Sequence, residues 1–219
     1  MGTITRSFAN NITTSGVLLP ASLNNNSIAN VTAYNASVAT GGMKLISTQT
    51  ASNSASISFT TGIDSTYKEY QFWFVDIHPR TDTVAFTFNL STDSGSNYNV
   101  TKTSTSFGAY HNEADTETGV PYDSGRDLAQ STGEQLIQNH SNLGSDADQN
   151  LGGSMSLFNP SSTTYVKHYI SNVSYYSSDN FNMNSFVAGY ANTTSAINAI
   201  RFKMSSGNFD GTILMYGIV

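Results

Sequence analysis

The sequence predicts an all-β chain: an antiparallel, jelly-roll-like β-sandwich with an extended N-terminal arm. Three observations point there. Ser, Thr and Asn number 32, 26 and 23 of 219 residues, while only 11% are charged. Thr suits strands and Ser and Asn suit turns, whereas the Glu, Lys and Arg that would solvate helix faces are scarce. Apolar side chains recur with period two, the mark of half-buried strands, and turn clusters interrupt them about every 10 residues, the rhythm of a sandwich. The 12 Tyr, 12 Phe and single Trp, placed at strand-like spacing, argue against disorder in so polar a chain.

Residues 1–42 read as the arm. They contain no acid and one base, Arg6. Their short apolar patches are too brief to build a core, so Ile4, Phe8, Val17, Leu18 and Leu19 are the candidate anchors to the chain's own domain or to a neighbour. Gly41-Gly42 reads as the hinge into a sandwich domain over 43–219. Ser56 to Thr60 alternates as a half-buried strand. Tyr70 to His78 is apolar on both faces, Phe72 and Phe74 on one and Trp73, Val75 and Ile77 on the other, which predicts a central strand covered on both sides. Val84, Phe86, Phe88 and Leu90 share one face opposite Thr83, Ala85, Thr87 and Asn89, the cleanest sandwich strand in the chain.

Ser91 to Tyr98 reads as a turn in which Asp and Asn bond to nearby backbone and Gly95 takes a positive φ. Its spacing is similar to the Asp-box hairpin, a structural turn, with Asn97 and Tyr98 in place of that motif's later residues. Residues 111–153 hold many of the acids and predict long loops with one or two short strands. Strands follow over 154–158, 164–176 and 186–190. A single helical turn or bend is expected at 196–200. The chain then closes as a hairpin, with Ile200 to Met204 leading into an apolar last strand, Thr212 to Val219, expected mid-sheet.

Composition excludes several classes of function. There is no Cys, which removes disulfides and thiolate metal sites and fits folding in a reducing cytoplasm. A net charge of −6 without a run of Lys or Arg does not suit nucleic acid or an anionic membrane surface. No apolar run approaches transmembrane length, and residues 1–11 lack the apolar stretch of a signal peptide.

Catalytic chemistry finds little support in the pattern. There is no Gly-x-Ser-x-Gly elbow, and His78, His111, His140 and His168 show no metal-ligand spacing. The acid pairs Asp115/Glu117 and Asp146/Asp148 have glycosidase chemistry but lie in polar loops, where solvated acids are ordinary. Asp146 to Asn150 alternates oxygen ligands as a calcium loop does, but Leu151 and the following glycines break that pattern. No cofactor is expected. The aromatics Tyr110, Tyr122, Tyr175, Tyr176 and Phe181, in or near polar loops, are candidate contacts for a glycan or for a partner subunit.

Several stretches together resemble a known group. They are Leu45-Ile46-Ser47-Thr48-Gln49-Thr50, the strand Tyr70 to Pro79, Asp93 to Val100, Leu157-Phe158-Asn159-Pro160 followed by Lys167-His168, Phe186 to Tyr190, Phe202 to Gly207 and Met215 to Ile218. These resemble virion proteins of tailed bacteriophages of the marine and cyanobacterial type, over roughly residues 43–219, and Arg6 to Asn11 is similar to their start. The resemblance implies a virion component with no catalytic residues to carry over. The expectation is therefore a non-enzymatic protein of the virion surface that contacts other virion proteins. It is expected to assemble as a homo-oligomer, most simply a trimer. Capsid decoration is the first reading, since the chain is short and lacks the heptads of a fibre stalk. A tail-fibre, receptor-binding or carbohydrate-binding module is the second, and a glycan hydrolase the third.

Overall fold

A computed structural model describes residues 42–219 and, nearer the N-terminus, the antiparallel pair β1 (Ile12–Thr13) and β2 (Gly16–Val17). The chain divides into two units, Met1–Thr40 and Gly41–Val219. Of the arm anchors, Ile4, Phe8, Leu18 and Leu19 lie outside the described residues, and Val17 is described only as a backbone position in β2.

The second unit is an antiparallel β-sandwich. Its strands are β3 (Met43–Ser54), β4 (Ile57–Phe59), β5 (Glu69–Pro79), β6 (Phe86–Ser91), β7 (Lys102–Asn112), β8 (Thr118–Gly119), β9 (Gln135–Leu136), β10 (Leu151–Phe158), β11 (Lys167–Tyr176), β12 (Phe181–Ala191), β13 (Ala199–Met204) and β14 (Phe209–Ile218). Eight form one sheet in the order β3-β14-β5-β10-β11-β12-β7-β8, and four form the other in the order β4-β13-β6-β9. Four strands of the large sheet, β3-β14-β5-β10, face the small sheet in jelly-roll winding. The jelly-roll strands follow in the order β3, β4, β5, β6, β9, β10, β13 and β14, each step changing sheet except that from β6 to its neighbour β9, and the first and last of these lie side by side. The excursions β7-β8 and β11-β12 then add four strands beyond β10, so the large sheet is twice as wide as its partner.

The core under the jelly-roll half is aromatic. Phe59, Phe72, Phe86, Phe88 and Phe202 are almost wholly buried. Phe202 sits among them, 5.4 Å from Phe72, 5.3 Å from Phe74 and 5.9 Å from Phe86 between ring centroids, spacings at which edge and offset contacts are favourable. Phe86, Phe88 and Leu90 face inward as the alternation predicts. Their polar neighbours Thr87, Asn89 and Ser91 are buried too, because Thr132 and Asp93 cap Asn89 and Ser91 and Thr87 bonds to the Lys203 carbonyl.

Three expectations from the sequence need correction. β5 is covered on one face only: Phe72 and Phe74 are buried, but Trp73 and Val75 are each 42% exposed. Ile77 departs from their face and is fully buried. The cause is a bulge. Asp76 has φ 52°, and β14 steps from Thr212 opposite Val75 to Asp210 opposite His78, leaving two residues of β5 against Gly211. One extra residue reverses the alternation. Gly211 fits there because a Cβ would lie 2.6 Å from the Asp76 carbonyl oxygen. The expected C-terminal hairpin is not one, since β13 and β14 lie in different sheets and the turn at Ser205 to Asn208 crosses the sandwich. The last strand is mid-sheet, between β3 and β5.

The polar stretch 111–153 carries the two short strands β8 and β9, as its composition predicts. Much of it is nevertheless interior. Gln135, Ile137, Gln138, Asn139 and Leu143 are fully buried, and the segment lies over the added strands where the small sheet ends. Amides replace apolar side chains as the filling there. The Gln138 side-chain oxygen accepts the Phe86 amide, Ser185 Oγ accepts the Asn139 amide at 2.9 Å, and Tyr169 Oη donates to Gln135 Oε1 at 3.0 Å.

Candidate functional site

The outer face of the eight-stranded sheet is the widest candidate. Its rows follow from the register, because residues paired across strands share a face. One row runs Thr48, Leu214, Trp73, Ser154, Asn172, Phe186, Phe107, and then Tyr122 through an isolated bridge. The next runs Leu45, Tyr216, Gln71, Ser156, Ile170, Ala188, Thr105. Neither row contains Asp, Glu, Lys or Arg. Leu45, Trp73, Phe107, Tyr122 and Ile170 are 42% to 55% exposed. Trp73 is held in place: its Nε1 donates to Gln71 Oε1 at 2.7 Å, and its ring lies 5.5 Å from that of Tyr216. Phe107 and Phe186 stack at 5.3 Å.

The five aromatics singled out from sequence do not form one cluster. Tyr175 is buried, which removes it from contact with any partner. Its hydroxyl donates to the carbonyls of Asn139 and Ser141, and burial pushes its pKa up. Tyr110 and Phe181 meet edge-on at 5.4 Å, and Tyr110 stacks on His140 at 4.6 Å. Tyr176 lies on the outer face at the far end of β11, its hydroxyl donating to Asn180 Oδ1 at 3.1 Å. Tyr122 is exposed at the edge beside Phe107 and donates to Asp127 Oδ2, an acceptor that raises its pKa. A shallow depression of about 210 Å³ lies near Tyr110, lined also by Ala109, His111, Thr118, Asn182 and Asn184. Of these five, only Tyr122 joins the exposed rows. Trp73 went unrecognised because a strand apolar on both faces reads as buried on both, and Tyr216, Phe186 and Ile170 because they lie within strands rather than in polar loops.

The titratable groups are dispersed. His78 Nδ1 lies 2.7 Å from the Gln149 carbonyl oxygen, His111 pairs with exposed Asp115 at 3.0 Å, and His168 sits near Tyr190. Among the described residues no three His, Asp or Glu converge as a metal site. In the Asp146 to Asn150 loop, Gln149 turns inward and its Nε2 donates to the Ser177 carbonyl at 3.1 Å. The Asp93 turn is closed upon itself: Asn97 donates to the carboxylate from both its backbone and its side chain, at 2.9 and 2.7 Å. Hydrogen bonds from Ser91 and then Asn97 hold that carboxyl down to about 2.

Two lysines are wholly buried. Lys167 Nζ donates to the Thr193 and Ser195 carbonyls at 3.1 and 2.6 Å. Lys102 Nζ donates to Asn89 Oδ1 at 2.6 Å and to the Val100 carbonyl at 2.8 Å. Burial pulls the Lys102 amine down to about 8, against an opposing pull from the Glu134 carboxylate. Glu134 Oε1 accepts from Arg201 Nη2 at 2.5 Å, while its Oε2 is buried with no hydrogen-bond partner. Arg201 is the cross-strand partner of Asn89, and its guanidinium lies 4.5 Å over the Tyr98 ring. No family model, curated protein or solved structure matches the chain.

Proposed function

We propose that this chain is a non-enzymatic structural protein of a bacteriophage virion surface, a capsid decoration subunit that self-associates into a homo-oligomer. The observation that supports this most is the outer face of the large sheet. Leu45, Trp73, Phe107, Tyr122 and Ile170 expose apolar surface along one face, and grouped exposed apolar side chains mark interaction sites. The chain carries a net charge of −6, so a face bearing acids would repel a second copy. The two central rows bear no full charge, and they can seat a copy without desolvating ions. Jelly rolls serve capsids and lectins alike, so the fold agrees with this reading without selecting it. A second reading rests on Trp73, Gln71 and Tyr216: an aromatic pair beside an amide has the make-up of a sugar platform, which suits a receptor-binding module.

One pair of substitutions separates the readings. In Trp73→Asp with Ile170→Asp, light scattering is expected to show the oligomer falling to a smaller species while circular dichroism keeps its β-signature. A wild-type chain that is strictly monomeric at high concentration contradicts self-association. An unchanged oligomer with lost binding to a glycan array favours the sugar platform instead.

A further inference from the structure

Lys102 and Asn89 are placed as reactants. Both side chains are buried, one on β7 of the large sheet and the other on β6 of the small sheet. Lys102 Nζ lies 2.6 Å from Asn89 Oδ1. The carboxamide is fixed on every side: Oδ1 also accepts the Leu90 amide at 2.9 Å, and Nδ2 donates to the Thr132 carbonyl at 3.0 Å. The amine is thus held at the oxygen of a carboxamide that is already polarised by a backbone N–H. Lys167, equally buried, touches only main-chain carbonyls and has no such partner.

We propose that Lys102 and Asn89 join in a self-catalysed isopeptide bond, with Glu134 relaying the proton. Neutral Lys102 Nζ attacks Asn89 Cγ, and the new N–C bond places negative charge on Oδ1, where the Leu90 N–H receives it. The proton shed by Nζ passes through the Glu134 carboxylate to Nδ2. The Cγ–Nδ2 bond breaks and ammonia leaves. One amide and one amine give one amide and ammonia, with no oxidant, reductant or cofactor. Burial favours the neutral amine that the attack requires, and fixed geometry replaces a bimolecular encounter. The Glu134 carboxylate acts on the Lys102 charge, its Oε2 is buried with no hydrogen-bond partner and so is open to a proton, and its other oxygen is held by Arg201. The bond staples the two sheets covalently in a chain that has no Cys.

Intact and tryptic mass spectrometry of the full-length wild-type chain tests this. The expected result is a mass lower than the sequence by one ammonia, with Lys102 resisting trypsin. A single peptide should then run from Thr81 to Arg126, lighter by ammonia. Lys102→Arg and Glu134→Gln are each expected to restore the full mass. A wild-type chain of full sequence mass overturns the proposal. So does a Thr81 to Lys102 peptide that has lost ammonia but is still cut after Lys102, which is succinimide formation at Asn89. A bond that forms undiminished in Glu134→Gln overturns the relay.

Discussion

At the scale of single residues, the interior carries the clearest consequences. Phe88 is fully buried and meets Tyr169 edge-on at 5.0 Å. Its truncation leaves a cavity between the sheets, so Phe88→Ala is expected to cost ~3–5 kcal/mol. Thr87 is buried on the other face of the same strand, but Thr87→Ser keeps the hydroxyl that donates to the Lys203 carbonyl at 2.9 Å and should cost little. Denaturant titration of both variants checks the facing, and equal small effects would contradict it. Phe86, Phe88 and Leu90 were legible from alternation alone. The burial of Thr87 and Asn89 was not, because polar residues paired with distant main-chain carbonyls, Lys203 and Thr132, look in sequence like a solvent face.

At the scale of elements, the turn after β6 has a pH signature. Asp93 is held at about 2 in the folded chain by hydrogen bonds from Ser91 and Asn97, against roughly 4 unfolded. As pH falls through 4 the unfolded chain takes up the proton first. The stabilisation is therefore complete above pH ~4 and is lost as pH falls from ~4 towards ~2. Asp93→Asn is expected to flatten that part of the fall in melting temperature, and a curve parallel to wild type would contradict it. The Ser, Asp and Gly spacing made this turn readable. The bulge at Asp76 was not readable, since nothing in Val75-Asp76-Ile77 distinguishes an inserted residue from a regular strand, and that one residue moved Ile77 to the core. The sheet crossing after Met204 was equally hidden, because a turn sequence does not say which sheet the chain enters next.

At the scale of the molecule, the sandwich class followed from composition and period, and its width did not. The excursions β7-β8 and β11-β12 double one sheet. The segment 120–150 then fills beneath them with Gln135, Gln138 and Asn139, residues whose polarity predicts solvent. The wide sheet is what creates the two central rows without full charge on its outer face, so the candidate site is a product of topology. Of the aromatics chosen from loops only Tyr122 joins its rows, and Trp73, placed in an apolar strand, supplies their centre. A decoration protein needs such a face to meet its copies and its particle. The central claim, a structural place on a virion surface, is tested most directly by quantitative mass spectrometry of purified particles from cells producing this chain. The chain is expected in the particles at a stoichiometry comparable with the major capsid protein. A chain found only in the soluble lysate, with none in the particles, would contradict it.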